Sequence, residues 1–414
     1  MLPLFGKKMS SVARFEIKQQ TTREEGAFPV SALLALALTG FTCIVTETLP
    51  AGLLPQISQG LGIPLSLAGQ SVTAYAIGSL LSAIPLTLAT RAWRRRKVLL
   101  LSITGFLVFN TVTALSSSFP LTLAARFFAG AAAGLAWSLL AGYARRMVSV
   151  TQQGRAMALA MVGTPVALSL GVPLGTWLGG AIGWRFAFAA MSLLTIALVI
   201  WVVCKVPDYP GEQGRAGHDV RNTLKVRGVR PVLVVVLAWM LAHNALYTYV
   251  APLIAPSGLA SEIGLVLLAF GAAALAGIYL TSRFVDTSLR RTVLMSLAAF
   301  ATISLAMALW IRVPVVMWLA VIVWGMSFGG AATLIQTALA DAAGSAADVA
   351  LSLNVVTWNA AIAGGGIVGG LLLEHAGPLS LPWTALILSL VALVCVYLSR
   401  SHGFPPGARR PSSR

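Results

Sequence analysis

The stretch PVSALLALALTGFTCIVTETLPAGLLP, at residues 29–55, is long and apolar enough to cross a bilayer, since about 20 helical residues span the hydrocarbon core. It contains a single charged residue, Glu47. The other acidic residues lie in the polar N-terminal tail, in a central polar stretch or between apolar runs. Ionisable groups inside a bilayer are costly and usually mark a path for ions, protons or substrate, so Glu47 is the first candidate functional residue.

Eleven more apolar runs follow, and 57% of the chain is hydrophobic while 10% is charged. This composition is typical of a polytopic membrane protein, and we predict an all-α membrane protein with twelve transmembrane helices. The first 26 residues contain no apolar core followed by a cleavage site, so we expect the first helix to remain in the protein. The further predicted spans lie near 67–90, 98–116, 120–144, 156–181, 184–204, 231–253, 262–282, 292–311, 314–339, 349–373 and 380–399.

The net charge of +17 reflects membrane topology rather than nucleic-acid binding. With the N-terminus inside, 26 of the 29 Lys and Arg residues fall in cytoplasmic segments, whereas Arg185 and Arg312 lie outside and Arg126 lies within a span. The positive-inside rule therefore predicts that both termini are cytoplasmic. The expected partners are the lipid bilayer, protons and a small-molecule substrate, and no nucleic acid is expected.

A polar stretch at 205–230, KVPDYPGEQGRAGHDVRNTLKVRGVR, separates six predicted spans from six others. The halves resemble each other, because Gly171, Gly175 and Gly183 recur 194 residues later. Parallel repeats of this kind build transporters whose two bundles rock around a site near the bilayer midplane. The predicted domains are a cytoplasmic tail at 1–28, a six-helix bundle at 29–204, a linker at 205–230, a second six-helix bundle at 231–399 and a cytoplasmic tail at 400–414.

The fifth predicted span, GTPVALSLGVPLGTWLGGAIGWR at 163–185, carries glycines at helical spacing and two prolines. Glycine allows a facing helix to approach closely, whereas proline removes a backbone hydrogen bond and bends the helix. A bent helix with a small-residue face can close one end of a pathway, and ordinary helix packing is the alternative role. The residues assigned to this conformational motif are Gly163, Pro165, Gly171, Pro173 and Gly175.

These features resemble those of the major facilitator superfamily, specifically its twelve-helix drug/proton antiporters, over nearly the whole chain. Thr46 and Glu47 precede Gly-Leu-Leu-Pro at 52–55, as in bacterial efflux permeases for sugars, arabinose, purine nucleosides and chloramphenicol, and the fifth span resembles the motif that distinguishes antiporters from importers. The resemblance implies two pseudo-symmetric six-helix bundles that export a small organic molecule by alternating access. It also implies that the proton gradient drives transport without a cofactor. An importer or uniporter of the same fold is the alternative.

Arg126, in the fourth predicted span, matches an arginine that the resembled family uses near proton transfer. A nearby cation favours an ionised carboxylate, so a movement that separates Arg126 from Glu47 promotes proton uptake. The alternative is an arginine whose side chain extends to the outer interface.

The segment between the second and third spans departs from the family. Leu86, Thr90 and Trp93 stand where the superfamily has Gly, Asp and Gly, which argues against an aspartate latch at the cytoplasmic gate. Arg91 and Arg95 retain the basic part of the motif, and we expect them to contact helix ends or acidic lipid.

Polar and aromatic residues inside the spans are candidates for substrate binding, because amides hydrogen-bond and rings stack against polyhydroxylated or aromatic molecules. An interhelical hydrogen bond is the alternative role for each. Imidazole titrates near neutral pH, so His243 is a candidate for proton coupling together with Glu47 and Arg126. For Glu47, direct contact with a cationic substrate is the alternative. The substrate-binding candidates are Tyr75, Trp137, His243, Asn244, Tyr247, Gln336, Asn354, Trp358 and Asn359.

The string GMSFG at 325–329 fits the GxSxG pattern of serine hydrolases, but it lies in a predicted span rather than at a strand-turn-helix elbow. We therefore expect no enzyme, and an intramembrane serine hydrolase is the remote alternative. The three cysteines are scattered through apolar runs, so neither metal nor redox chemistry is predicted. No phosphate-binding loop for ATP is present. We expect a monomer in the bacterial inner (plasma) membrane.

Overall fold

The computed structural model describes residues 28–211 and 220–407, which are helical and contain no β-strand. Most of the predicted N-terminal tail, part of the linker and the end of the C-terminal tail (1–27, 212–219 and 408–414) lie outside the described residues. The membrane-spanning helices are α1 Val30–Gly52, α2 Leu65–Ala89, α3 Arg95–Leu115, α4 Phe119–Arg146, α5 Gln153–Ile182, α6 Trp184–Lys205, α7 Val229–Thr248, α8 263–287, α9 289–310, α10 Pro314–Ala343, α11 Ala347–Ala376 and α12 Ser380–Leu398.

The second half of the chain contains one helix of double length. Among the described residues, eleven continuous helices are long and apolar enough to cross a membrane. One of them, Ile263–Trp310, has 48 residues and is kinked at Ser288 (φ −152°, ψ 44°). Because a span needs about 20 residues, this helix provides two crossings, α8 and α9, and the chain has the twelve predicted spans. The predicted break at 283–291 is wrong, since the backbone stays helical on both sides of the kink.

The helices α1 and α7 lie at the centre of the molecule. Each is 67% buried over its most apolar stretch, more than any other span among the described residues. Helices around them expose large apolar side chains outward, such as Leu115 on α3 (79% exposed) and Leu193 on α6 (69%). An apolar outer surface of this kind suits lipid and not water. Glu47 on α1 is therefore directed into the protein rather than placed at its apolar periphery.

The helix α5 is irregular where the sequence places its two prolines. A π-helical segment, Ala167–Gly171, joins its α-helical halves. Proline has no backbone N–H, and near this segment the hydroxyl of Ser169 donates to the carbonyl oxygen of Pro165 (2.7 Å). The predicted irregularity of this span is present as a π-segment between Pro165 and Pro173.

The glycines of α5 face α1. A Cβ atom at Gly163 would overlap the carbonyl oxygen of Ala37, so the two backbones are in direct contact. Gly171, Gly175 and Gly179 lie in the same way against the side chains of Val45, Leu49 and Leu53. The helix that approaches the small-residue face of α5 is thus the one that carries Glu47.

The first residues of the linker are bound to the N-terminal bundle. Asp208 forms an ion pair with Arg94 and accepts a hydrogen bond from the backbone N–H of Arg96 (3.1 Å), in the first turn of α3. The backbone N–H of Arg95 donates to the carbonyl oxygen of Tyr209 (2.8 Å). Partial burial raises the pKa of Asp208, but the hydrogen bonds from Arg94 and from the Arg96 amide outweigh it and hold that pKa below its ordinary value.

The loop residues assigned to the conformational motif differ in their surroundings. Arg95 is the first residue of α3 and is buried, whereas Arg91 is half-buried. Thr90, at the position of the family's aspartate, donates its hydroxyl to the carbonyl oxygen of Leu86 within α2 (2.7 Å). The acidic side chain that pairs with Arg94 in this basic loop comes from the linker, as Asp208.

Candidate functional site

Glu47 lies in the last third of α1 and is 9% exposed. Within the described part of the chain, its carboxylate makes no hydrogen bond and no ion pair. Tyr75 of α2, Arg126 of α4 and Tyr247 of α7 are close enough to interact with it electrostatically. Because Tyr247 belongs to the second bundle, the carboxylate lies at the boundary between the two bundles.

Arg126 is fully buried, so its side chain does not extend to the outer interface. Its Nε atom donates to the carbonyl oxygen of Ser71 (3.3 Å), and its Nη2 atom donates to the carbonyl oxygen of Glu47 (3.4 Å). The guanidinium lies 4.8 Å from the ring centre of Tyr75 and 5.6 Å from that of Phe188. Within the described part of the chain, the Nη1 atom has no hydrogen-bond partner. Backbone carbonyls and aromatic faces thus hold the cation beside Glu47, without a contact between the two charged groups.

Asn110 of α3 belongs to the same region and was missed in the sequence. Its side-chain nitrogen donates to the hydroxyl of Thr46 (3.1 Å), next to Glu47. Its side-chain oxygen is buried and has no partner among the described residues. An amide inside the apolar run FLVFNTVTAL at 106–115 is the sequence signal for this residue, because a polar side chain in a span needs a partner.

His243 of α7 is enclosed by aromatic rings. Its ring stacks on Phe328 with a centroid separation of 3.5 Å, and Tyr247 and Phe270 lie within 5.9 Å. The indole N–H of Trp324 donates to His243 Nδ1 (3.1 Å), which places the proton of the neutral ring on Nε2. No carboxylate forms an ion pair with this histidine in the described ranges.

The serine of the GMSFG string has no catalytic arrangement. The hydroxyl of Ser327 donates to the carbonyl oxygen of Trp324 in its own helix (3.0 Å), and the Nδ1 atom of His243 is engaged by the Trp324 indole. The flanking Gly325 and Gly329 pack against the backbone of α8. Helix packing accounts for the string.

The other substrate candidates are distributed along the depth of the bundles. The ring of Trp137 lies against Gly40 of α1, and Trp358 packs against an apolar cluster contributed by α2 and α11 (Val72, Ala76, Ile362 and Ala363). Asn244 and Asn359 donate to backbone carbonyls of their own helices. Asn354 is buried and its side-chain oxygen has no partner among the described residues, whereas Gln336 is exposed in the second half of α10. The structure groups Tyr75 and Tyr247 around Glu47, whereas Gln336 and Asn354 lie nearer the inner ends of their helices.

The two bundles are hydrogen-bonded to each other at the end that the charge pattern predicts to be external. The hydroxyl of Tyr249, just after α7, lies 3.2 Å from the carbonyl oxygen of Ser66 and 2.8 Å from that of Gly366. The side-chain nitrogen of Gln70 donates to this hydroxyl (3.2 Å) and to the Gly366 carbonyl (3.1 Å). A Cβ atom at Gly69 would overlap the Tyr249 ring. We call Ser66, Gln70, Tyr249 and Gly366 the outer latch.

A second contact joins the two bundles near the middle of α5. A Cβ atom at Gly271 of α8 would overlap the backbone at Leu168 and Ser169, in the π-segment of α5. The irregular part of α5 therefore lies directly on the opposite bundle. Because Gly163 and Gly171 of α5 face Ala37 and Val45, this contact lies level with the part of α1 that precedes Glu47.

Comparison with known proteins agrees with this architecture. The sequence profile of the family described as Major Facilitator Superfamily matches residues 36–364 and 260–413. The purine ribonucleoside efflux pump NepI of Salmonella enteritidis is 31% identical over 375 residues, which cover 88% of this chain and 92% of NepI.

Solved structures show the same fold. The xylose transporter XylE from E. coli superposes with a TM-score of 0.73 at 14% identity, covering 91% of this chain and 96% of XylE. The human organic anion transporter MFSD10 gives a TM-score of 0.62 at 18% identity, covering 89% of this chain and 97% of MFSD10. With twelve helices in two bundles and a family profile that matches most of its length, the chain belongs to the major facilitator superfamily and is a multi-pass membrane transporter, not an enzyme.

Proposed function

We propose that this transporter is a proton-coupled antiporter that exports purine ribonucleosides, or sugars and drugs of similar chemistry, across the bacterial inner membrane. NepI, which is similar over most of both chains, is named as a purine ribonucleoside efflux pump, and this supports the direction of transport and the substrate class. In this proposal the protein works as a monomer with both termini in the cytoplasm. Its energy source is the proton gradient, and it uses no cofactor.

The observation that carries the proposal is the position of Glu47. Its carboxylate is buried at the boundary between the bundles without a hydrogen bond or an ion pair in the described ranges. An isolated ionised carboxylate is costly away from water, so the charge of Glu47 depends strongly on what surrounds it. Because Tyr247 lies on the opposite bundle, a rocking movement changes those surroundings and couples proton binding to conformation.

The positive charge of Arg126 favours the ionised form of Glu47, which opposes the cost of burying that charge. It is fixed by the carbonyl oxygens of Ser71 and Glu47 and by two aromatic faces, so it has little freedom to follow the carboxylate of Glu47. When Glu47 is ionised, attraction to Arg126 favours one arrangement of the side chain, and protonation removes that attraction. Protonation from outside therefore favours one state, and release of the proton to the cytoplasm favours the other, in exchange for substrate.

In this proposal the substrate is bound between the bundles by polar atoms that lack partners among the described residues. Tyr247 Oη, Asn354 Oδ1 and Arg126 Nη1 are buried without a hydrogen bond to the described part of the chain, and buried polar groups normally have one. Trp137 and Trp358 provide half-buried aromatic rings. This set suits a nucleoside, whose ribose hydroxyls form hydrogen bonds and whose base stacks on aromatic rings.

Transport in proteoliposomes with an imposed pH gradient tests the proposal. We expect Glu47→Gln to abolish uphill export of a purine ribonucleoside while counterflow exchange continues, because glutamine cannot exchange a proton. Glu374→Gln is the matched control, since Glu374 is an exposed carboxylate near the outer end of α11. Unchanged uphill export by Glu47→Gln would exclude Glu47 as the coupling residue. Counterflow in the native protein without any response to the pH gradient would indicate a uniporter.

A further inference from the structure

A basic cavity opens at the predicted cytoplasmic surface of the second bundle, away from the transport pathway. Its volume is about 450 Å³. One wall is formed by the end of the linker and the start of α7, and the other wall is formed by the end of α12 and the segment that follows it. Lys225, Arg227 and Arg230 line it, together with His402, and none of its lining residues is acidic. The three cations are exposed and form no ion pair with the described residues.

The far wall of this cavity is held in place by specific contacts. Arg290 of α9 donates to the carbonyl oxygens of Val396 (2.6 Å), Tyr397 (3.1 Å) and Phe404 (2.9 Å), and the Phe404 ring is fully buried. These bonds satisfy carbonyl groups at the C-terminal end of α12 and fix the segment after it. The wall is therefore part of the fold.

Gly228 brings the two walls together. It has a positive φ of 99°, and a Cβ atom there would overlap the carbonyl oxygen of His402. Only glycine combines this backbone conformation with this close approach. As a result, Arg227 and Arg230 on one wall and the segment after α12 on the other border the same cavity.

The cavity lies at the ends of two membrane-spanning helices. Helix α7 begins at Val229 and α12 ends at Leu398, and both helix ends border the cavity. Leu398 is 70% exposed and the neighbouring Tyr397 is 64% exposed. Tyrosine at a helix end is typical of the membrane interface, and basic pockets on the cytoplasmic side bind anionic headgroups.

We propose that this cavity binds the phosphate headgroup of an acidic phospholipid. Arg227, Arg230 and Lys225 contact the phosphate, and the acyl chains run outward along Leu398. Inorganic phosphate has the same charge chemistry, but the apolar surface beside Leu398 favours the lipid. The site is separate from the pathway around Glu47, so this proposal does not depend on the transported substrate.

Lipid binding to the purified full-length protein in neutral detergent tests the proposal. Phosphatidylglycerol, phosphatidylcholine and inorganic phosphate are titrated, and binding is measured by native mass spectrometry and by thermal stabilisation. We expect phosphatidylglycerol to bind more tightly than either other probe. In Arg227→Gln/Arg230→Gln its affinity should fall about 25-fold, because each Lys or Arg at an anionic surface strengthens binding roughly fivefold.

The matched control is Arg145→Gln/Lys205→Gln, which removes two exposed charges from the last turns of α4 and α6 in the first bundle. It should retain native affinity. If the double variant at the cavity does not fold, the single variants Arg227→Gln and Arg230→Gln should each bind about fivefold more weakly. Equal loss in the control pair, or no loss in the cavity variants, overturns the proposal. Phosphate binding as tight as that of phosphatidylglycerol overturns the lipid assignment.

Discussion

Replacing Tyr249 with phenylalanine should shift the transporter toward the state in which the outer ends of the bundles are separated. The Tyr249 hydroxyl contacts Gln70, Ser66 and Gly366, and two of these three belong to the first bundle. Phenylalanine keeps the ring that packs against Gly69 and removes only the oxygen. The change therefore tests the polar part of the outer latch alone.

The size of the shift follows from the hydrogen bonds that are lost. The hydroxyl can donate one bond and accept one from Gln70, and each contributes about 0.5–1.5 kcal/mol net. Gln70 keeps the carbonyl oxygens of Ser66 (3.3 Å) and Gly366 (3.1 Å) as acceptors, so no buried donor is left unpartnered. The bond from Gln70 crosses between the bundles, whereas the hydroxyl's own bond does so only when it is donated to Ser66 rather than to Gly366. The closed outer end should therefore lose about 1–2 kcal/mol, which is roughly a 5- to 30-fold change in the ratio of the two states.

Pulsed electron paramagnetic resonance measures this ratio directly. Spin labels at the exposed outer-end positions Ser117 and Ser261 report the separation of the bundles. We expect a longer distance to become prominent in Tyr249→Phe. Tyr397→Phe, which alters an exposed tyrosine at the opposite end of the molecule, should match the native distribution. An unchanged distance distribution in Tyr249→Phe would refute the reasoning that this hydroxyl stabilises the closed outer end.

Two further predictions concern α5 and the linker. Gly163→Ala should destabilise the protein by about 1–3 kcal/mol, because the added Cβ atom overlaps the Ala37 carbonyl oxygen. In the control Gly142→Ala the added Cβ atom meets no neighbouring atom, so this change should be neutral or stabilising. Thermal unfolding compares the two variants, and equal melting temperatures would contradict the packing argument. Asp208→Asn should speed hydrogen exchange of the amides at 206–211 about fivefold at pH 7, since an exposed ion pair and a helix-end bond contribute about 1 kcal/mol together. A carboxylate with a lowered pKa stabilises the fold at pH values above its ordinary pKa, and this stabilisation is lost only as the pH falls through the lowered value. Because the pKa of Asp208 is lowered, protection of these amides in the native protein should stay constant between pH 6 and 8. Exchange in Asp208→Asn equal to the native rate would show that Asp208 does not hold the linker.

The sequence predicted the fold closely, because hydropathy and charge patterning are local properties of the chain. The span that carries Glu47, the even number of crossings and the division at the linker all follow from the order of apolar and polar residues. The one clear error is the break at 283–291, where basic and acidic residues indicated a loop and the chain formed a kinked helix. Charged residues are compatible with a helix that extends beyond the bilayer, so composition alone does not end it.

The candidate site was predicted less completely. Glu47 and Arg126 were identifiable as charges in apolar runs, but whether Arg126 reached the interface or the interior depended on its neighbours. Its partners Ser71 and Phe188 are 55 and more residues distant in the chain. His243 illustrates the same limit, since its aromatic surroundings come from α8 and α10.

By itself, the sequence determined that this chain is a twelve-helix membrane protein and that one carboxylate lies inside it, because lipid requires long apolar helices and makes a buried charge conspicuous. Only the tertiary structure decided that α1 lies on the glycines of α5, that Arg126 binds carbonyls rather than the carboxylate, and that Tyr249 joins the bundles. Hydrophobicity does not select partners among helices that are all apolar. Close packing and hydrogen bonds between distant segments make that selection, and they exist only once the helices have assembled.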